Sequence, residues 1–522
     1  MSEMVENGAA APPLEGSEIS PAAAAPNPMQ SQYNSPSLSM KPLLMLEHPK
    51  AKTPSRTPNF ITPLGSPIRR AMKTTRLDPQ DAWLPITESR KGNAFYAAFH
   101  TLFAGIRIQA LVIPVAFTIL GWSWGIISLT VAFVWQLYTF WLLTNLHEST
   151  ETGMRYSRYL QLFDAIFGEK TGKIFAVFPI LYLSDGTCVA LIVVGGSAIK
   201  LFYQIVYGGS GCPKDPLTMV EWYLVFTSAT VLVSQLPNLN SIAGVSLIGS
   251  LTAVGYCTMM WCVSVTEGRL PSVSYDHVKP NTNTEWFFGV LNAFGIIAFA
   301  FRGHSVTLES MYIGTMPSSE KKPSSVPMWR GIQGAYIVIA LCLFPIAIGR
   351  YWAYGNKVLE AGPRSAILAA IYAFHGRDTS QSVLGLISLF VIINAVSSFQ
   401  IYGMPMFDDV ESKITKRLKR PLPWWLRVIS RFMFGYGCFF VAVAIPFLGS
   451  LAGLIGGIAV PVMFVYPSLM WIKVKKPQRH GFMWCLNWGL AIAGILLTML
   501  LVAAGIHVII DTGVEVSFFK PH

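Results

Sequence analysis

Apolar stretches long enough to cross a bilayer recur along this chain from Phe95 to Ile510, and they constrain its fold more than any other feature. Lipid offers no hydrogen bonds, so a lipid-spanning segment must satisfy its own backbone; a run of about 20 apolar residues therefore reads as helix. About eleven such spans can be drawn, at 95–119, 124–146, 174–206, 222–236, 242–265, 286–313, 334–354, 382–406, 426–445, 448–472 and 484–510. The expected fold class is an all-α, polytopic membrane protein. Composition agrees, because 52% of residues are hydrophobic and 13% charged, against about 25% charged in a soluble domain.

Residues 1–90 read differently. They are rich in Pro, Ser, Ala and Thr, lack the apolar core of a secretory signal, and are expected to form a disordered cytoplasmic tail ahead of a transmembrane domain at 91–522. Ser35, Thr53, Thr57, Thr62 and Ser66 each precede proline near Arg56, Arg69 and Arg70. That pattern suits a proline-directed kinase as a partner of the tail, although such pairs also arise by chance in solvated segments.

Orientation follows from the basic loops. Arg155, Arg158, Lys170 and Lys173, then Lys321, Lys322 and Arg330, then Lys413, Lys416, Arg417, Lys419, Arg420 and Arg427, and finally Lys473, Lys475, Lys476 and Arg479 fall in alternate connections. Positive charge gathers on the cytoplasmic side, which places the N-terminus inside and, after an odd number of spans, the C-terminus outside. The same bias accounts for the net charge of +12 without nucleic acid. Seven cysteines show no CxxC pair or disulfide framework, and residues 168–173 lack the Lys-Ser/Thr placement of a phosphate loop. No cofactor, metal or set of catalytic residues is expected, so the chain does not read as an enzyme.

Two spans interrupt their own hydrophobic pattern. The first breaks at Ala104-Gly105-Ile106-Arg107-Ile108-Gln109, and the sixth, five spans later, at Ala300-Phe301-Arg302-Gly303-His304. An arginine at bilayer mid-depth costs about 2.5–3.5 kcal/mol on insertion scales, so neither should face lipid. Paired broken helices in corresponding positions point to a transporter site, since unwound backbone can hold a polar solute and helix N-termini attract a carboxylate. Spans one to five and six to ten then form an inverted 5+5 repeat, with broken helices 1 and 6 and an extra C-terminal helix.

Other polar residues gather around that centre. Glu309, about two turns after Arg302, can pair with it or carry a coupling proton. His304 can titrate near neutral pH or serve as a hydrogen-bonded structural residue. Asp185, in the third span, reads first as a counter-charge for Arg107 or Arg302. Asn394, Ser397 and Ser398, in the eighth span, fit helix-to-helix hydrogen bonding or ion coordination.

The stretch from Asn292 to Glu309, then Pro327-Met328-Trp329-Arg330-Gly331, Phe344-Pro345 and Tyr354-Gly355-Asn356, resembles plant lysine-histidine transporter-like proteins of the amino acid/auxin permease family. Leu120-Gly121-Trp122 and Met404-Pro405-Met406-Phe407-Asp408 extend the resemblance from about Asn93 to the C-terminus. It implies secondary active, proton-coupled import of amino acids across the plasma membrane. It also implies that substrate lies against Gly105, Phe299, Ala300, Gly303 and His304, with Glu309 in a coupling role. Arg107 and Arg302 stand where the family favours small residues. With Gln109 they join the expected substrate-binding set, and two guanidinium groups there would disfavour cationic side chains and favour carboxylates. Two further readings stay open: a carrier of auxin-like organic anions, and a non-transporting membrane sensor or scaffold of the same fold.

Overall fold

The computed structural model describes residues 93–149, 154–156, 159–207, 217–235, 242–271, 273–276, 282–303, 324–358, 368–418, 422–444 and 448–512. The tail at 1–92, His304 and Glu309 lie outside the described residues. The chain enters with α1 (Ala94–Gly105), whose cap is Asn93 accepting a hydrogen bond from the Tyr96 amide. After a three-residue break comes α2 (Gln109–Leu146), the first two expected spans run together. They part at Gly121, which has φ 69° and ψ −172°, a conformation that glycine adopts without a Cβ clash.

A short ladder of β1 (Glu148–Ser149) and β2 (Met154–Arg155) leads to α3 (Tyr159–Phe167) and α4 (Glu169–Phe175). Then follow α5 (Val177–Tyr207), α6 (Met219–Ser234), α7 (Ile242–Thr266) and α8 (Asn283–Ala300). Thr218 begins α6 with a reciprocal capping box to Glu221. The second half continues with α9 (Ser325–Tyr354), α10 (Leu368–His375), α11 (Gln381–Leu418) and α12 (Trp424–Ala444). It closes with α13 (Leu448–Val460), α14 (Tyr466–Lys475) and α15 (Phe482–Thr512). Among the described residues, eight helical segments are long and apolar enough to cross a bilayer.

Several elements depart from the reading of the sequence, and the seventh span, expected from residue 334, already begins as helix at Ser325. The eighth span, expected to end at residue 406, runs on as helix to Leu418, and Glu411 in this extension pairs with Arg427 at 2.6 Å. The tenth carries a π-helical stretch, Pro461–Val465, between α13 and α14. Proline has no N–H and its ring crowds the preceding turn, so regular α-helical bonding is disturbed there.

The packing relates the two halves. Helices α5 and α11 pack on each other; α1 packs on α9 as α8 packs on α2; α1 packs on α7 as α8 packs on α13; and α7 packs on α11 as α13 packs on α5. Exchanging the halves maps each contact onto another. That exchange of contacts is the packing pattern of an inverted repeat.

Small residues set the approach of the central helices. A Cβ on Gly295 of α8 would lie 2.5 Å from the Gly453 carbonyl of α13, and a Cβ on Gly456 would run into the Gly295 carbonyl. In lipid, association relies on such close backbone packing. Gly456→Val should therefore cost more than the roughly 1–3 kcal/mol of ordinary overpacking, because the obstructing atoms are backbone. The expected outcome is loss of the monodisperse peak on size-exclusion chromatography in detergent. Gly489→Ala on α15, where no atom lies within 4 Å, should leave both peak and thermal midpoint unchanged.

Candidate functional site

The helix α1 stops because Ile106 turns to extended backbone, at φ −120° and ψ 111°. Carbonyls at a helix end need donors, and here side chains just past the break supply them. The Arg107 Nε donates to the Phe103 carbonyl at 2.5 Å, and the Gln109 Nε2 donates to the Gly105 carbonyl at 3.3 Å. At the other break, Phe301 caps α8 by donating its amide to the Ala298 carbonyl, while its own carbonyl accepts from Gln136 Nε2 on α2.

The two breaks touch. A Cβ on Gly303 would sit 3.6 Å from the Ala104 carbonyl and 3.7 Å from both Ala104 Cβ and Gln136 Nε2. Close to the first break, Gly105 abuts Ile339 of α9, and Gly249 of α7 leaves room for the Phe103 ring.

Arg107 and Arg302 are 0% and 3% exposed. The Arg107 guanidinium carbon lies 4.3 Å from the ring centres of both Phe103 and Tyr402. That of Arg302 lies 3.7 Å from the Phe299 ring and 5.3 Å from the same Tyr402 ring. Arg302 Nη1 donates to Thr187 Oγ1 at 2.5 Å, and the Thr187 hydroxyl in turn donates to the Leu183 carbonyl. Among the described residues, no carboxylate forms an ion pair with either arginine. Among the described residues, Arg107 Nη1 and Nη2, and Arg302 Nε and Nη2, are buried with no hydrogen-bond partner.

Asp185 does not neutralise them. Its Oδ1 is buried without a hydrogen-bond partner, and it stands two residues from Thr187 on α5. Residues so spaced do not share a helix face, so the side that meets Arg302 through Thr187 is not the side of Asp185. Asn394 ties α11 to α7 through Nδ2 and the Gly249 carbonyl at 2.8 Å, which is the helix-to-helix bond expected of it. Ser397 is buried, and the fully buried Ser398 has a hydroxyl without a partner among the described residues. Phe299 and Ala300 close the end of α8 as buried apolar groups.

Two central residues escape the reading of the sequence. Tyr402 bridges the arginines, and Gln136 caps the second break. Tyr402 carried a signal, because Asn394, Ser398 and Tyr402 follow at intervals of four along one helical stripe. Gln136 was visible as a polar residue inside an apolar span. Gln136→Leu should strand the Phe301 carbonyl and cost about 1–3 kcal/mol, read as a lowered thermal midpoint of the purified protein.

Two exchanged helical halves whose breaks meet at a buried polar centre make this a membrane transport protein by architecture. The same fold occurs in a manganese transporter from Eremococcus coleocola, with a TM-score of 0.50 and 14% identity over 79% of this chain and 86% of that one. The chain belongs to the family of transmembrane amino acid transporter proteins, whose profile matches residues 90–511. It is 51% identical over 476 residues to Lysine histidine transporter-like 8 of Arabidopsis thaliana, covering 89% of this chain and 90% of that protein. Lysine histidine transporter-like 7 of the same plant is 41% identical over 444 residues, with 85% and 90% covered. These relatives are named as transporters, in agreement with the expectation that the chain is not an enzyme.

Proposed function

We propose that the chain is a secondary active transporter that imports amino acids with protons across the plasma membrane, its N-terminus cytoplasmic. Substrate is held where the break after α1 meets the break after α8, against Gly105, Arg107, Gln109, Phe299, Ala300, Arg302, Gly303 and His304. The observation that carries this reading is the pair of buried arginines with unpartnered donors at that meeting point. A buried cation with nothing to neutralise it is costly, and an amino acid's carboxylate would supply charge-assisted, two-pronged hydrogen bonds. Asp185 and Glu309 are the proposed proton carriers, with Asn394, Ser397 and Ser398 as polar support beside them.

The test is uptake of radiolabelled neutral, acidic and basic amino acids and indole-3-acetate at two external pH values, in cells with the protein at their surface. Uptake of an amino acid should rise as external pH falls. Lysine should enter about tenfold more slowly than a neutral amino acid, corresponding to about 1.4 kcal/mol of discrimination by the fixed positive charges. Lysine uptake equal to that of neutral substrates would refute the charge argument. Silence of the native chain, with uptake appearing in Arg107→Gly, would favour the sensor reading instead.

A further inference from the structure

The hydrogen bonds that hold the two arginines leave a matched pair of vacant edges. Arg107 spends Nε on the Phe103 carbonyl and keeps its end-on fork, Nη1 and Nη2, without partners. Arg302 spends Nη1 on Thr187 and keeps its side-on fork, Nε and Nη2, without partners. Each vacant edge is a planar pair of donors, the shape that accepts both oxygens of one carboxylate. Two forks can seat two carboxylates, whereas the main-chain carboxylate of a neutral amino acid fills one fork at a time when it binds two-pronged.

Tyr402 lies between the forks and limits their separation. Its ring lies against both guanidinium groups, so their carbon atoms are no farther apart than the 4.3 Å and 5.3 Å separations placed end to end. Phe103 and Phe299 lie against the two groups as well, so each is steered by aromatic contact and by one tethered nitrogen. Like charges at such separation repel in a low-dielectric interior, and a ligand with two negative groups relieves both burial and repulsion.

We propose that this site selects dicarboxylates, with one carboxylate on Arg107 and the other on Arg302, and that Tyr402 is a positioning residue setting their separation. This deepens the reading of the two breaks as the substrate site and rests on it. The ligand chemistry is shared by acidic amino acids and by organic diacids without an amino group.

The experiment is thermal stabilisation of the purified full-length protein in detergent by glutamate, glutamine, lysine and 2-oxoglutarate, run beside uptake of the same compounds in proteoliposomes. Glutamate and glutamine differ in the second carboxylate, so that comparison needs no variant. Glutamate should bind at least about tenfold more tightly than glutamine, the discrimination expected from one charge-assisted fork. Stabilisation by 2-oxoglutarate equal to that by glutamate assigns the site to diacids in general; stabilisation by glutamate over 2-oxoglutarate assigns it to acidic amino acids. Both support the proposal. In Arg302→Gln the glutamate-to-glutamine ratio should fall toward one, while Tyr402→Phe, which keeps the ring, should retain the preference and Tyr402→Leu should erode it.

Glutamine binding as tightly as glutamate overturns the dicarboxylate proposal while leaving amino acid transport standing. Stabilisation by dicarboxylates without uptake supports the site and overturns the transport reading. Neither stabilisation nor uptake overturns both.

Discussion

Inside a bilayer a chain can interrupt a helix only where protein groups take over the hydrogen bonds that the helix gives up. That requirement organises the centre of this molecule. The carbonyls of Phe103 and Gly105 are taken up by Arg107 and Gln109 from just beyond the first break, and that of Phe301 by Gln136 from a neighbouring helix. The donors that repair the backbone are thus polar groups buried at this centre. Arg107 thus commits one guanidinium nitrogen to the backbone, and its other two have no partner among the described residues.

Among the described residues, the arginines are held by aromatic faces and not by counter-ions. Phe103, Phe299 and Tyr402 lie against the two guanidinium groups, and the attraction of a cation to a ring face grows as water is excluded. Such contacts offset part of the burial cost without neutralising charge, and among the described residues no carboxylate pairs with either guanidinium. A protein carboxylate close to either group would have removed that demand for an anion. Asp185, on the other side of α5 from Thr187, does not do so.

Glycine contacts carry the geometry outward from this centre. Gly295, Gly453 and Gly456 let α8 and α13 meet backbone to backbone, and Gly249 admits the Phe103 ring between α1 and α7. The exchange of contacts between the halves then places one break beside the other.

Much of this was legible in the residues themselves. The apolar runs located the helices because a lipid-spanning chain has few alternatives, and Gly105, Arg107, Arg302 and Gly303 stood out because a charge and a glycine are costly in such a run. The paired breaks five spans apart suggested the inverted repeat, and the resemblance, carried most strongly by residues 292–309, supplied the family. The extension of α11 past residue 406 and the π-helical Pro461–Val465 stretch were not legible, because helix ends and bulges depend on packing and local bonding as well as hydropathy. Nor did sequence spacing tell which partners the arginines meet. Asp185 was an electrostatically sensible counter-charge, and only the rotation of α5 turned it away and brought Thr187 forward. Tyr402 lies 100 residues from Arg302 in the chain, and only the packing of α11 against the central helices put its ring against both guanidinium groups. Sequence by itself determined that two charged breaks exist, since their cost can be read locally; tertiary structure decided which hydrogen bonds they make and which donor edges stay vacant, since those depend on atoms from distant helices.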